Sequence, residues 1–287
     1  MSTPRSLILD PSIRRVRIPA DGIDLAALVV EPVRAGPLTP LTTVVLLHGF
    51  TGSKEDFGAL LPLIADAGYR AIAIDLRGQH ESDEHDATFG IDRFAGDVVH
   101  LVAALDGPVH LVGHSFGGLV AREAALVTPS ALSTLTLMCS GPGAIPHHHA
   151  DALDAFDQAM AGGEVDAVWN YMRHDRMTSD PDVDEQVLLF LERRLRSGHP
   201  NAHRAIARGL LEIPDRTDEL AATGLPILIM WGQDDDVWPL DEQRLTAQRL
   251  GCDSVEITGA GHSPAVDEPV ATAAALLAWI GSVELPS

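Results

Sequence analysis

The stretch Val109-His-Leu-Val-Gly-His-Ser-Phe-Gly-Gly118 decides the fold of this chain. Its apolar beginning, Val109 to Val112, predicts a buried strand, and a helical pattern starts at Phe116. Between them lies Gly-His-Ser115-Phe-Gly, a pattern typical of a sharp strand-to-helix turn that strains the serine backbone and presents its hydroxyl. Glycines on both sides of the serine let strand and helix approach closely. The stretch predicts that Ser115 is a nucleophile; a serine that only caps the helix is the alternative.

Short apolar runs alternate with helical patterns on both sides of this turn. The predicted strands are Ile13–Ile18, Ile23–Val30, Thr43–Leu47, Ala71–Ile74, Val109–Val112, Leu132–Met138, Ile227–Trp231 and Ser254–Ile257. The first two flank Pro-Ala-Asp-Gly and indicate an antiparallel hairpin. The others alternate with helices, which is typical of βαβ units. We therefore expect an α/β fold with a mostly parallel, twisted sheet of about eight strands and helices on both faces.

One long segment interrupts the alternation. Residues 141–215 are rich in helical patterns and contain no convincing strand. A helical insertion after the sixth strand would lie over the carboxyl ends of the strands, where sites form in such folds. The sequence therefore predicts a core of residues 1–140 and 216–287 and a helical cap of residues 141–215.

The serine needs a base, because a hydroxyl is a poor nucleophile, and the base needs a carboxylate that fixes its tautomer. The best candidate base is His262, in the small-residue loop Gly259-Ala-Gly-His-Ser263 before the last helical pattern. The carboxylate is expected at the end of an earlier strand, where Asp234, Asp235 and Asp236 follow one another. The residue pattern alone leaves the choice among these three open.

Four motifs, in order along the chain, resemble those of the α/β-hydrolase fold superfamily. They are His48-Gly-Phe-Thr-Gly52, Asp75-Leu-Arg-Gly78, the serine turn, and Gly232-x-x-Asp235-x-x-x-Pro239 with the Gly-His262 loop. The resemblance runs from about residue 43 to residue 280 and implies a capped serine hydrolase with the triad order Ser, Asp, His. The spacing of the acid motif selects Asp235. One loop departs from the family pattern: it reads Arg77-Gly-Gln-His-Glu81 where Arg-Gly-His-Gly is usual, so its backbone is expected to differ.

Physical reasoning and the family resemblance both predict an oxyanion hole. Two backbone N–H groups are expected to face the carbonyl oxygen that becomes negative during the reaction. Phe116, directly after the nucleophile, is the first expected donor, and Phe50, in the loop after the third strand, is the second. His48 is expected to orient that loop and to take no part in the chemistry.

Large apolar residues and arginines are concentrated in the predicted cap. Most of the apolar groups are expected to form the cap's own core, and a minority to line an acyl or aryl pocket. The candidate substrate-binding residues are Trp169, Tyr171, Met172 and Arg173, together with His114 beside the nucleophile. The cap arginines are Arg173, Arg176, Arg193, Arg194, Arg196, Arg204 and Arg208. A salt-bridged helix face would explain most of them, and one or two could instead bind a substrate carboxylate or phosphate.

Composition limits the possible partners. The chain has 287 residues, of which 20 are Lys or Arg and 41 are Asp or Glu, so its formal net charge is −21. This acidity argues against binding to nucleic acid or to anionic membranes. The apolar runs fall far short of a membrane span of roughly 18 residues, so we expect a cytoplasmic protein with a small-molecule substrate. Neither the cysteines nor the histidines of Pro146–His149 predict a metal site, no metal or organic cofactor is expected, and nothing indicates the oligomeric state.

These features lead to one preferred function and two alternatives. The preferred function is hydrolysis of a small-to-medium carboxylic ester, thioester or lactone by Ser115, His262 and Asp235. Serine at position 115 excludes the mechanism of the related epoxide hydrolases and haloalkane dehalogenases, which have Asp there. Capped relatives also include C–C bond hydrolases and the menaquinone-pathway synthase that eliminates pyruvate, and the loop His48–Phe57 resembles that synthase group. Such a reaction on an anionic substrate is the second candidate, and a ligand-binding receptor of the same fold is the third.

Overall fold

Eight strands form one sheet at the centre of the fold. The computed structural model describes residues 2–32, 41–84, 88–146 and 149–284. The strands are β1 Arg14–Pro19, β2 Asp24–Val30, β3 Thr43–Leu47, β4 Arg70–Ile74, β5 Val109–His114, β6 Thr134–Met138, β7 Ile227–Gly232 and β8 Asp253–Ile257. Their order across the sheet is β1-β2-β4-β3-β5-β6-β7-β8. β1 and β2 form the predicted antiparallel hairpin, β2 is antiparallel to β4, and the pairs from β4 to β8 are parallel. The prediction of a mostly parallel sheet of about eight strands is confirmed.

The burial of the strands explains their sequence patterns. Every residue of β3, β5, β6 and β7 is buried, because helices cover both faces of a parallel sheet. These strands therefore appear in the sequence as continuous apolar runs. The edge strand β1 instead carries partly exposed Arg14, Arg15 and Arg17, and charges on an edge strand discourage pairing with another chain.

Helices form two layers around this sheet. They are α1 Leu60–Asp66, α2 Ile91–Ala103, α3 Phe116–Val127, α4 Ala150–Ala161, α5 Val165–Ser179, α6 Glu185–Ser197, α7 Pro200–Glu212, α8 Thr217–Ala221, α9 Leu240–Leu250, α10 Pro264–Asp267 and α11 Pro269–Glu284. α1 packs against α11, while α2, α3, α8 and α9 form a second continuous layer. None of the helices in the described ranges is long and apolar enough to cross a membrane.

Four of the helices between β6 and β7, α4 to α7, lie within residues 141–215, where the sequence predicts the insertion. Much of their packing is among themselves, around a separate apolar cluster of Met160, Val168, Trp169, Val187, Phe190, Leu191 and Leu195. α4 and α7 also contribute residues to the main core. The division of the chain into a core of residues 1–140 and 216–287 and a cap of residues 141–215 stays a prediction. His147 and His148 lie outside the described residues.

Candidate active site

Ser115 lies at the sharp turn between β5 and α3. Its backbone has φ 53° and ψ −119°, a strained conformation that costs a non-glycine residue about 1–3 kcal/mol. The side chain makes no capping hydrogen bond to α3, which weakens the interpretation of Ser115 as a simple helix cap. The neighbouring glycines make the turn possible, because a Cβ at Gly117 would collide with the carbonyl oxygens of Leu47 and His48. A Cβ at Gly113 would likewise collide with Gly117.

His262 and Asp235 form a hydrogen-bonded pair. Nδ1 of His262 donates to Oδ1 of Asp235 over 2.8 Å. Burial acts to raise the pKa of Asp235, but hydrogen bonds from His262 and from the backbone outweigh it, so the pKa lies below its usual value. The charged carboxylate favours the tautomer with the proton on Nδ1, and Nε2 is then free to accept another proton. Asp234 and Asp236 are exposed, so the geometry favours Asp235 among the three aspartates.

Three further donors hold the carboxylate of Asp235 in place. The backbone N–H groups of Val237 and Trp238 donate to Oδ1 over 3.0 and 3.3 Å. The side-chain amide of Gln243, in the first turn of α9, donates to Oδ2 over 2.9 Å. The sequence analysis missed Gln243, because a polar residue in the first turn of a helix is usually exposed and only the folded chain turns this one inward.

His114 connects the nucleophile turn to the loop that carries His262. Its Nε2 donates to the main-chain carbonyl of His262 over 2.6 Å, and the two ring centroids are 5.0 Å apart. Burial lowers the pKa of His114 to about 3, so the ring is neutral near pH 7. The observed contacts are those of a residue that positions the His262 loop. Its predicted contact with substrate stays a prediction.

The loop after β3 passes directly against the nucleophile turn. A Cβ placed at Gly49 would lie 2.9 Å from that of Ser115, so only glycine allows this approach. The fully buried ring of His48 fixes the loop from behind: Nδ1 donates to the carbonyl of Gly49 over 2.8 Å, and Nε2 accepts from the N–H of Leu76 over 3.1 Å. His48 is thus placed to orient the loop.

The two predicted oxyanion-hole residues lie on the backbone segments that meet at Ser115. Phe116 is the first residue of α3, and N–H groups at this position have no acceptor within the helix. The helix dipole also favours negative charge there. Phe50 follows Gly49 in the adjacent loop, and its ring packs edge-on against that of Phe156 in α4, with centroids 4.8 Å apart. The role of both N–H groups as oxyanion donors stays a prediction.

The predicted substrate-binding residues of the cap have different surroundings. Trp169 is 5% exposed and lies inside the apolar cluster, and Met172 packs at the margin of that cluster. Tyr171 is 68% exposed. Arg173 lines, with Trp169, a surface groove of about 470 Å³ between α5 and α6. Their role in binding substrate stays a prediction. Phe156 of α4, which the sequence analysis did not single out for substrate binding, contacts the ring of Phe50.

Five of the seven cap arginines form ion pairs. They are Arg176 with Asp180, Arg194 with Asp56, Arg196 with Asp166 and Glu192, and Arg204 and Arg208 with Asp157. Arg194 is buried; it links α6 to Asp56 beside the loop after β3 and also donates to the carbonyl of Ser2 over 2.7 Å. These pairs support the interpretation of the arginines as mainly structural.

Buried histidines are expected to make the fold sensitive to acid. Burial lowers the pKa of His48 to about 4, that of His114 to about 3 and that of His203 to about 4. A histidine in the unfolded chain has a pKa of about 6.5. Between about pH 6.5 and pH 4 the unfolded state therefore binds protons that the folded state excludes. As the pH is lowered through this range, we expect the free energy of unfolding to decrease by about 1.4 kcal/mol per pH unit for each of these histidines.

Urea unfolding at a series of pH values measures this slope. His203→Gln removes one titrating group and is expected to make the slope shallower by about 1.4 kcal/mol per pH unit. His174 is exposed on α5, so His174→Gln is the matched control and is expected to keep the wild-type slope. Equal slopes in the wild type and in His203→Gln would contradict this assignment.

Comparison with known proteins identifies the family. A family model described as the alpha/beta hydrolase family matches residues 44–275. The chain is 29% identical over 214 residues to a non-heme chloroperoxidase of Streptomyces lividans, covering 68% of this chain and 75% of that protein. It is 28% identical over 240 residues to the pimeloyl-acyl-carrier-protein methyl ester esterase of Aeromonas hydrophila, covering 79% and 90%. A solved thermophilic esterase from Thermogutta terrifontis matches with a TM-score of 0.77 at 25% identity, over 95% of this chain and 100% of that one. This chain belongs to the alpha/beta hydrolase family, and it is a hydrolase.

Proposed function

We propose that this protein is a serine hydrolase that cleaves a small-to-medium carboxylic ester, thioester or lactone through an acyl-enzyme. The observation that carries the proposal is the bond from His262 Nδ1 to the buried carboxylate of Asp235. The loop of His262 is linked to the strained turn of Ser115 through His114, the residue before this serine. This is the arrangement in which an imidazole can remove the proton of a serine hydroxyl.

The reaction has two halves. In the first, Oγ of Ser115 attacks the substrate carbonyl carbon while Nε2 of His262 takes the hydroxyl proton, and the carbonyl oxygen becomes negative between the N–H groups of Phe50 and Phe116. The bond to the leaving group then breaks, and the proton moves from His262 to that group. In the second half, water attacks the acyl-serine, His262 accepts the proton of the water, and the proton returns to Ser115 as the acid leaves.

Two observations favour a carboxylic ester with an apolar acyl group. The relatives include proteins named as esterases. The rings of Phe50 and Phe156 pack against each other, and Phe50 directly follows Gly49, which approaches Ser115 closely. We infer that α4 forms part of a cover over the site. The cytoplasmic location and the small-molecule substrate belong to this same proposal.

The C–C bond hydrolase or pyruvate-eliminating lyase has less support. That alternative was based on the many arginines of the predicted cap, which could bind an anionic substrate. Since five of the seven arginines are occupied by Asp or Glu partners, the cap offers less positive charge for such a substrate than the sequence indicated. The structure adds no observation that favours a receptor.

A panel of substrates tests the function directly. The purified protein is expected to hydrolyse one or more p-nitrophenyl esters, thioesters or lactones, and a fluorophosphonate probe is expected to modify a single peptide that contains Ser115. Turnover of dienones with no ester turnover would establish the C–C alternative. Binding of a panel compound without turnover, together with no labelling, would favour a receptor.

The contact between Phe50 and Phe156 predicts the acyl-chain preference. Burial of apolar surface contributes about 0.8 kcal/mol per methylene, so we expect butyrate and hexanoate esters to be cleaved with higher kcat/KM than acetate. Phe156→Ala is expected to lower the ratio of hexanoate to acetate kcat/KM by roughly fourfold or more, the factor that corresponds to one methylene.

Tyr171→Ala is the matched control for this measurement. Its ring lies in the same four-helix segment but is 68% exposed, so the ratio is expected to stay at the wild-type value. The inference that α4 covers the site fails if Tyr171→Ala changes the ratio and Phe156→Ala does not.

A further inference from the structure

Three side chains that commonly bind metal ions meet at a second location, away from the serine turn. Glu55 lies in a short 3₁₀ turn after the β3 loop, and His80 and Glu81 lie in the loop after β4. Nε2 of His80 is 3.9 Å from Oε2 of Glu55 and 3.9 Å from Oε1 of Glu81. His80 and Glu81 belong to the stretch in which the sequence departs from the family pattern.

The two carboxylates each bind the neighbouring cations with only one oxygen. Lys54 and Arg15 contact Oε1 of Glu55 at 3.2 and 2.9 Å. The same two cations contact Oε2 of Glu81 at 2.8 and 3.3 Å. Oε2 of Glu55 and Oε1 of Glu81 are the oxygens that lie near His80.

The tautomer of His80 is fixed by Ser197 of α6. The hydroxyl of Ser197 donates to the carbonyl of Arg194 over 3.3 Å, so it accepts from Nδ1–H of His80 over 3.1 Å. In the neutral ring with its proton on Nδ1, Nε2 carries a lone pair, and it lies 3.9 Å from each of the two carboxylate oxygens. A histidine that binds a metal ion is typically held in this way through its other ring nitrogen.

Three lone pairs that converge without a hydrogen between them repel one another. Within the described residues, Nε2 of His80 and Oε2 of Glu55 have no hydrogen-bond partner, and their side chains are only 2% and 5% exposed. A cation bound between the three atoms would balance this arrangement.

We propose that Glu55, His80 and Glu81 bind one divalent transition-metal ion, and that Zn²⁺ fits best. One imidazole nitrogen and two carboxylate oxygens are a ligand set that Zn²⁺ accepts. Ligand atoms at zinc distances of about 2.0–2.2 Å lie about 3.3–3.6 Å apart in tetrahedral geometry. The two contacts of His80 would close to this separation from 3.9 Å, and the two carboxylate oxygens would close from a separation within 4.8 Å. Glu81 is 45% exposed, which leaves the ion a path from solvent and room for water as the fourth ligand.

Such an ion would act on the structure and not on the reaction. It would join the turn after β3 to the loop after β4 and, through Ser197, to α6 of the predicted cap. Because an ion that binds only the folded chain stabilises it by mass action, the midpoint of thermal unfolding should rise with the concentration of Zn²⁺.

Calorimetric titration of the chelator-treated full chain with Zn²⁺ tests the proposal. We expect one saturable site per chain and a rise in Tm that follows its occupancy. His80→Gln and Glu81→Gln are each expected to raise Kd at least about tenfold. Changing a residue that only supports a metal ligand already lowers metal affinity by about 10- to 100-fold. Glu81 is half exposed, so Glu81→Gln should fold even if His80→Gln does not.

Two control variants identify the site. His174→Gln changes an exposed histidine on α5 and is expected to leave Kd unchanged. Cys139→Ser removes a ligand from the other described group that could hold an ion, His114, Cys139 and His262, and is also expected to leave Kd unchanged. The proposal is overturned if the wild type shows no saturable binding and no Tm shift, if Glu81→Gln binds as tightly as the wild type, or if Cys139→Ser abolishes binding.

Discussion

Ser115→Ala is expected to lower kcat/KM for the best ester by about 10⁴- to 10⁶-fold, because it removes the atom that forms the acyl-enzyme. Residual activity above that of water would come from the oxyanion hole and from substrate binding. The variant is expected to remain folded, since alanine occupies the same volume apart from one hydroxyl. Steady-state kinetics with the wild type and the variant measure the loss, and circular dichroism checks the fold.

Ser140→Ala is the matched control for this experiment. Ser140 is also buried and lies beside Gly118 of the same turn, but its hydroxyl has no hydrogen-bond partner among the described residues. We expect this variant to keep both its activity and its labelling by the fluorophosphonate probe. Full activity of Ser115→Ala, or labelling at a serine other than Ser115, would refute the mechanism.

Asp235→Asn is expected to lower kcat by about 10⁴-fold, the loss that the equivalent change causes in the serine protease template. The amide keeps the shape of the carboxylate, but its NH₂ group can face Nδ1 of His262. That contact favours the tautomer with the proton on Nε2, and this tautomer cannot accept the proton of Ser115. KM is expected to change little, because Asp235 does not touch substrate in the proposed mechanism.

The neighbouring aspartates provide matched controls for this substitution. Asp234→Asn and Asp236→Asn alter exposed side chains and are expected to change kcat by less than about threefold, the scale of most surface substitutions. A larger loss in either of them than in Asp235→Asn would show that the assignment is wrong by one residue.

The strands could be predicted because a buried parallel strand leaves a local signature. β3, β5 and β7 are continuous apolar runs in the sequence. The predicted range of β3 equals the observed one, and those of β5 and β7 differ from the observed ones by two residues and one residue. The short helices α8 and α10 were missed, since segments of five and four residues show no helical period. The order in which β4 lies between β2 and β3 depends on pairing between distant segments, which no local pattern records.

The residues of the candidate site also differ in how far the sequence predicts them. Ser115, Asp235 and His262 follow strand ends, and the parallel topology brings such positions to one edge of the sheet, so motif spacing was sufficient to propose them as one site. The cap residues could not be sorted in this way. Trp169 and Phe156 both lie among apolar residues on amphipathic helices. Only the packing shows that Trp169 is buried inside the separate cluster, whereas Phe156 packs at its margin and contacts Phe50. Gln243 and the cluster around His80 likewise depend on contacts between segments distant in the sequence.

The placement of α4 to α7 between β6 and β7 also bears on how the protein is made. A ribosome completes the serine turn first, then the four helices, and only afterwards the segments that carry Asp235 and His262. In the proposed mechanism, the nascent chain therefore holds Ser115 without its base, and it is expected to cleave no ester before synthesis is nearly finished. During the same interval β6, whose five residues are all buried in the finished fold, lacks its later neighbour β7 and is an open edge that invites association. The four helices emerge next and are the nearest part of the same chain that could shield it.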